Sequence, residues 1–325
     1  MGIGWECGMS HTERINYWAR EIGFDKVGIA AVDTVSGGAQ LAEWLMRGYH
    51  AGMGWMLNNA YRRLDPRCVL PGAQSVICVA VNYYTSGERD VDGLKVSRYA
   101  WGTDYHHILG RMLKELAARI SQEHPDSSNL WYVDTGPVME KTWAQRAGLG
   151  WIGKNDILIS RDFGTWLFLG EVITTLDLPP DLPEQDHCGT CTRCIDACPT
   201  DAIVEPYVVD ANRCSAYWTI EHRGEFPPAI ADTFDGWVFG CDICQEVCPF
   251  NRFQQDTALP VEFGPRSELL PPERWLEFSR EDFARLSLRS PLRRARLEGL
   301  QRNVRATRGA CNQARTVAEG WQQGS

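Results

Sequence analysis

One run of cysteines sets the terms for this chain: Cys188-Gly-Thr-Cys191-Thr-Arg-Cys194-Ile-Asp-Ala-Cys198-Pro199. The spacing is C-x2-C-x2-C-x3-C-P. The first three thiolates wrap one corner of a 4Fe–4S cubane, and the fourth, followed by proline, ligates a different cluster. The sequence supplies that second site. Cys241-Asp-Ile-Cys244-Gln-Glu-Val-Cys248-Pro249 repeats the motif without its first cysteine, and Val238 stands in its place. Cys214 is the nearby spare. Cluster one therefore takes Cys188, Cys191, Cys194 and, crossing over, Cys248. Cluster two takes Cys241, Cys244, the crossing Cys198, and Cys214. Zinc prefers paired C-x2-C units with longer gaps, so the proline-ended triple is not its pattern.

A chain of 325 residues has room for two or three domains around such a centre. No apolar run is long enough for a signal peptide or a membrane helix. Iron–sulfur thiolates need a reducing compartment. We therefore expect a cytoplasmic protein with no membrane partner. The net charge of −9 argues against a generic nucleic-acid binder. The average hides an asymmetry. Residues 285–308 hold Arg285, Arg289, Arg293, Arg294, Arg296, Arg302, Arg305 and Arg308 against one acid, Glu298. A solvated helix face is the plain reading of such a run. With no lysine and little acid to pair with, its guanidinium forks also suit phosphate.

Hydrophobic periodicity predicts helices over 12–22, with Thr12 as N-cap and Gly23 as stop, and over 41–47, 110–121 and 138–148. Strands are predicted over 26–32, 75–83 and 130–133, with a strand pair formed by 158–160 and 165–174. The run over 75–83 is apolar enough to be buried on both faces. Alternating strands and helices give an α/β or α+β domain up to about residue 180. A proline- and acid-rich stretch over 178–186 marks a boundary. The cluster segment follows to about 255, with an insert over 201–240 that carries Cys214. The remainder, 256–325, is helical. It has a capping box at Ser279 and Asp282, and Ser290-Pro291 opens a helix over 292–306.

Two adjacent clusters form a wire, and a wire ends on a cofactor or substrate. No G-x-G-x-x-G follows a strand and no Walker loop is present, so a dinucleotide is not indicated. Asp104-Tyr-His106-His107 nearly spells the D-x-H-x-x-G cobalamin-ligand pattern, but Leu109 stands where glycine is needed. The histidine pair then reads as surface. Asp134 directly follows an apolar strand, where α/β domains place ligands. Capping the next helix is the alternative. Beside Trp and Tyr side chains its carboxyl would be desolvated, raised in pKa and able to deliver a proton. The turn from Gly150 to Asn155, with Lys154, suits a phosphate or amide-rich ligand, or is a plain turn.

Several stretches together resemble one family. They are Arg98-Tyr-Ala-Trp-Gly-Thr-Asp-Tyr-His106, Val133-Asp-Thr-Gly-Pro-Val-Met-Glu140, Arg146-Ala-Gly-Leu-Gly-Trp-Ile-Gly-Lys-Asn155 and Phe168-Leu-Gly-Glu171. Arg213-Cys-Ser-Ala-Tyr-Trp-Thr-Ile-Glu221, Trp237-Val-Phe-Gly-Cys241 and both cysteine motifs follow in order. This set, spanning about 10–305, resembles the epoxyqueuosine reductases. Ser290-Pro-Leu-Arg-Arg294 and Gly299-Leu-Gln-Arg-Asn303 match the family's arginine-rich tail.

The resemblance implies an α+β or α/β fold in three parts. These are a nitroreductase-like cobalamin-binding domain over 1–180, akin to that of reductive dehalogenases, a ferredoxin-like domain with two 4Fe–4S clusters over 181–255, and a short helical tail over 256–325. It implies reduction of epoxyqueuosine to queuosine in a tRNA anticodon loop, epoxide to alkene with loss of water. Electrons would pass through both clusters to a cobalamin bound without a protein histidine. Asp134 matches the proton donor. Leu57, Arg98, Asp134, Asn155, Ile157, Ser160, Ser215 and Cys241 match cobalamin contacts, and Arg293, Arg294 and Arg296 match positions that grip tRNA phosphates. We expect a monomer served by a separate electron donor. Longer family members continue into a helical-repeat module, for which only 304–325 remain here. An iron–sulfur electron carrier and a corrinoid reductase of a small organic substrate are the competing readings. The small-substrate reading does not need the arginine helix.

Overall fold

The computed structural model describes residues 8–33, 38–87, 90–91, 93–269 and 271–322. The chain opens with helix α1 (His11–Ile22). Its N-cap is Ser10, not Thr12: the Ser10 hydroxyl accepts from the Glu13 N–H, and the Glu13 carboxylate accepts from the Ser10 N–H. This reciprocal box satisfies two end donors, which Thr12, already inside the first turn, cannot do. Gly23 closes the helix at φ 109° as expected.

Strand β1 (Lys26–Ala31) follows, then helix α2 (Gly38–Met46), strand β2 (Ser75–Asn82) and the short strand β3 (Leu94–Val96). Next come helix α3 (Tyr105–Glu123), strand β4 (Asn129–Tyr132), helix α4 (Glu140–Arg146) and strand β5 (Leu167–Thr174). The main sheet has the order β1-β2-β5-β4, and every pairing is antiparallel. The domain is therefore α+β rather than α/β. All eight residues of β2 are buried, as the apolar run predicts. Its alternate side chains feed two cores. Ile77, Val79 and Val81 meet α1 and α3 through Ile15, Ala19, Leu109 and Leu113. Val76, Cys78 and Ala80 meet α4 through Trp143 and Ala144. At Gly28 a Cβ would lie 2.0 Å from the Ala147 carbonyl oxygen, so glycine lets the end of α4 rest on β1.

The predicted pair of 158–160 with 165–174 does not form. Leu158–Ile159 pairs with Trp151–Ile152, and β5 enters the main sheet between β2 and β4. A strand as apolar as β5 buries more surface between two neighbours than in a hairpin.

In the cluster segment, helix α5 (Ser215–Ile220) leads to strand β6 (Trp237–Phe239). β6 pairs in parallel with β3. A third core joins residues distant in sequence: Leu94, Val96 and Trp101 pack with Val238 and Phe239, and with Trp275, Leu292, Leu300 and Val304 of the C-terminal part. The predicted helix over 292–306 is broken. Pro291–Ala295 is a 3-10 turn, and helix α6 (Arg296–Gln322) restarts at Arg296, whose φ is +62°. Asn303 explains why α6 is fixed in place. Fully buried, it donates to the carbonyls of Thr219 at 2.7 Å and Val238 at 2.8 Å. No described helix is long and apolar enough to cross a membrane.

Candidate active site in the cysteine-lined cavity

A cavity of about 1140 Å³ opens where the main sheet, the cysteine loops and the start of the C-terminal part converge. Cys198, Cys214, Cys241 and Cys244 line one wall, and Asp134, Tyr105 and His106 line another. Arg293 and Arg294 also line it.

The thiols lie close together across both expected sets, and Cys244, expected at cluster two, also feels the charge of Cys194, expected at cluster one. Cys248 feels the charge of Cys188, Cys194 and Cys191, while Cys241 feels that of Cys214 and Cys198. With Zn–S bonds of about 2.3 Å, tetrahedral sulfurs would lie about 4 Å apart. Among the described residues no three cysteine sulfurs lie within 4.8 Å of one another. Lys154, in the turn left open between a ligand site and a plain turn, is used internally: its Nζ donates to the carbonyls of Gly189 at 2.6 Å and Cys191 at 3.0 Å, holding the loop of cluster one. Asn155 donates to the Cys244 carbonyl at 3.2 Å and holds the other loop.

Asp134 sits just past β4 at φ +55°, in the left-handed region. Such strain on a non-glycine residue concentrates at functional sites. It does not cap the next helix, because α4 begins after Met139 with no side-chain cap. Its Oδ2 accepts from the Tyr105 hydroxyl at 2.7 Å and lies 3.3 Å from His106 Nε2. That second approach is an ion-pair separation aimed too obliquely for a formed hydrogen bond. Behind it, His106 Nδ1 lies 2.7 Å from Asp104 Oδ1. The Tyr105 ring stacks on His106 at 4.2 Å and on Phe168 at 4.4 Å, fixing both groups.

This arrangement corrects the expected pKa. The cavity walls desolvate the Asp134 carboxyl and raise it although 55% of its side chain stays exposed to the open cavity, but its contacts with His106 and Tyr105 and the charge of Arg294 outweigh this and hold it below the usual range. Burial lowers the His106 imidazole, yet Asp104 and Asp134 outweigh that and hold it up at about 9. Near neutral pH the proton therefore rests on His106, beside an ionised Asp134. Sequence reading missed His106 by treating the histidine pair as surface. The available signal was Asp104, which caps α3 by accepting from the His106 N–H at 3.0 Å and so turns the ring inward.

The other named positions divide. Asn155, Ile157, Ser215 and Cys241 line the cavity; Leu57, Arg98 and Ser160 do not. Leu57 is 52% exposed outside it. Arg98 is held away by stacking on Tyr84 and Trp101 and by donating to the Thr85 carbonyl. Ser160 is fully buried and accepts from Lys26 Nζ at 3.2 Å.

The arginine run divides as well. Arg294 makes a paired bridge to Glu221 at 2.7 and 2.8 Å. Arg302 stacks on Phe226 at 4.0 Å and donates to the carbonyls of Trp218, His222 and Gly224. Arg293, Arg296 and Arg305 are exposed, and among the described residues they form no ion pair.

Comparison with known proteins agrees with this geometry. Residues 187–251 match the family model for a 4Fe-4S double cluster binding domain, so the cysteines hold two such clusters. Residues 63–135 match the model "Epoxyqueuosine reductase QueG, DUF1730". The chain is 52% identical over 273 residues to an epoxyqueuosine reductase of Synechocystis sp., covering 82% of this chain and 93% of that one. It is 49% identical over 302 residues to that of Gloeobacter violaceus, covering 90% and 94%. The structure of epoxyqueuosine reductase from Streptococcus thermophilus superposes with a TM-score of 0.85 at 29% identity, covering 93% of this chain and 82% of that one. An epoxyqueuosine reductase crystallised with an epoxyqueuosine-modified tRNA-Tyr stem loop superposes with a TM-score of 0.80 at 30% identity, covering 91% and 80%. The chain belongs to the epoxyqueuosine reductase family.

Proposed function

We propose that this chain reduces epoxyqueuosine in tRNA to queuosine, and that Asp134 delivers the proton to the departing epoxide oxygen. The observation that carries the reading is the shared cavity: a carboxylate with a proton-bearing histidine on one wall, and the four cysteines of cluster two on the other.

The cavity also fits a cobalamin. At about 1140 Å³ it exceeds the roughly 300–1,000 Å³ of ordinary small-ligand sites. Trp44, Met53, Trp55 and Ile157 give it apolar walls suited to a corrin, and Asn155, Ser215 and Cys241 complete the residues that would hold one. Bound together, cobalamin and the clusters supply the two electrons that removal of an epoxide oxygen requires. The chain's own groups supply the acid. Tyr105 and Asp104 orient the His106–Asp134 pair, Asp134 draws the His106 proton, and its carboxyl hands it to the oxygen. Protonation turns a poor alkoxide leaving group into a hydroxyl, and a second proton, taken up from solvent through the cavity, releases it as water.

The segments divide the work. Residues 1–180 bind cobalamin and hold the acid, 181–255 carry electrons, and 256–325 grip tRNA. The enzyme acts as a cytoplasmic monomer, with a separate donor feeding cluster one, the set farther from Asp134. Arg293 at the cavity mouth, with exposed Arg296 and Arg305, is free to meet phosphate, whereas Arg294 is engaged by Glu221. Replacing Arg293 and Arg296 by alanine is expected to weaken tRNA binding and to flatten its log–log salt dependence by about 0.7–0.9 per arginine. An unchanged slope would make the turn structural.

The pH dependence has a definite sign. His106, raised from its ordinary 6.5, carries the proton at neutral pH and loses it as pH rises through about 9. Turnover is expected to fall above that pH. His106→Gln is expected to lose about a hundredfold in turnover near neutrality and to lack the alkaline limb. A variant with the limb intact would place it on another group.

The direct test is anaerobic incubation of the reduced protein with tRNA carrying epoxyqueuosine, followed by nucleoside mass analysis. The expected product is lighter by one oxygen. An unchanged nucleoside mass would overturn the reading.

A further inference from the structure

The turn that carries Asp134, residues 134–138, has few ties to the rest of the fold. It leaves β4 through Val133 and enters α4 through Met139. Backbone polar groups in a folded chain are nearly all paired. Yet among the described residues no backbone group of 134–138 bonds to the backbone of another segment. The turn's one main-chain bond runs to its own stem, from the Thr135 N–H to the Val133 carbonyl at 2.6 Å. Val133 and Val138 are buried and pin its two ends. Tyr105 and His106 meet the Asp134 carboxylate itself. Arg63 meets the main chain: its Nη1 donates to the Gly136 carbonyl at 3.2 Å and, more weakly, to that of Val138 at 3.5 Å. A Cβ at Gly136 would lie 2.4 Å from Tyr132 Cδ1, so glycine lets the turn fold down onto that ring.

Arg63 is half-buried in the short helix Ala60–Leu64. Its guanidinium lies over the Trp55 ring, 5.9 Å from the centroid. Trp55 lines the cavity, whereas Arg63 does not. The charges of Glu140 and Asp134 both favour the cation where it stands. A guanidinium is a rigid planar fork, suited to holding two acceptors at once. A proton donor displaced by about 1 Å costs a reaction about a hundredfold. We infer that Arg63 is a positioning residue for the acid: its grip on the Gly136 and Val138 carbonyls holds the turn where Asp134 meets Tyr105 and His106, and its seat on Trp55 joins that turn to the apolar wall of the cavity. Arg63 touches none of the reacting atoms. The inference rests on the proposed role of Asp134.

The test uses the complete, cluster-loaded protein. Hydrogen exchange followed by mass analysis reads the turn without any turnover. In Arg63→Ala the amides of Thr135, Gly136 and Val138 are expected to exchange about tenfold faster or more, the effect of losing one bond to a charged donor. Iron content and exchange in β2 and α3 should stay at wild-type values. Arg63→Lys keeps length and charge but not the fork, and is expected to show the same change to a smaller degree, so a misfolded alanine variant leaves the question answerable. Wild-type exchange of the turn in either folded variant would overturn the proposal. In the assay, Arg63→Ala is expected to lower kcat by about 10- to 100-fold with KM for tRNA unchanged. Guanidinium chloride, compared with sodium chloride at equal ionic strength, is expected to restore part of the loss. Full kcat, or a loss that guanidinium does not relieve, would contradict the assignment. Asp134→Asn is the control. An active Asp134→Asn variant would sink the underlying reading, whereas an inactive one beside a fully active Arg63→Ala variant would sink this inference alone.

Discussion

Asp134→Asn is expected to lower epoxide reduction by about 10²–10⁴-fold, the range a positioned general acid contributes, while iron content and cobalamin binding stay at wild-type values. The asparagine is nearly isosteric and can still accept from Tyr105, so the left-handed turn and the stacking of Tyr105 on His106 and Phe168 are kept. It lacks the carboxyl through which the His106 proton would travel. Loss of turnover with intact cofactors locates the defect in proton delivery. Normal turnover, measured by mass analysis of the nucleoside, would remove Asp134 from the chemistry.

Cys214→Ala is expected to leave cluster one in place, remove cluster two and abolish turnover. Cys214 belongs to the insert and stands at the start of α5, lining the cavity together with Cys241 and Cys244. With alanine there, cluster two keeps three thiolates, one fewer than a cubane takes from its protein. Anaerobic iron analysis should find half the wild-type content. Full content would show that another residue fills the position vacated at Val238. Val238 itself has no exposed surface and packs in the third core, so it is not open to a cluster in any case.

The pair of 4Fe–4S clusters was legible because the motif is local: the spacing of a few cysteines marks a cubane site. Asp134 was legible because a strand's end can be read from its apolar run. Its ionisation was not, since that depends on Tyr105 and His106, which reach it from the first turn of α3. The same limit explains the strand error. Nothing near residues 158–174 reveals that β5 lies between β2 and β4, a fact fixed by burial across the whole sheet. Arginine count alone left a solvated helix face and a phosphate grip both open for the run. Packing decided otherwise for Arg302, whose ring of carbonyl acceptors comes from the insert some eighty residues earlier. Buried acids such as Glu171 are invisible at the sequence level, because an isolated glutamate in an apolar strand carries no mark of its missing partner.

One cavity must join a cluster, a corrin and an acid for the reaction to run. Counting iron and cobalt per chain after anaerobic purification with added cobalamin tests that directly. Two 4Fe–4S clusters and one corrinoid require eight irons and one cobalt per chain. Four irons, or a full complement of iron with no cobalt retained, would contradict it.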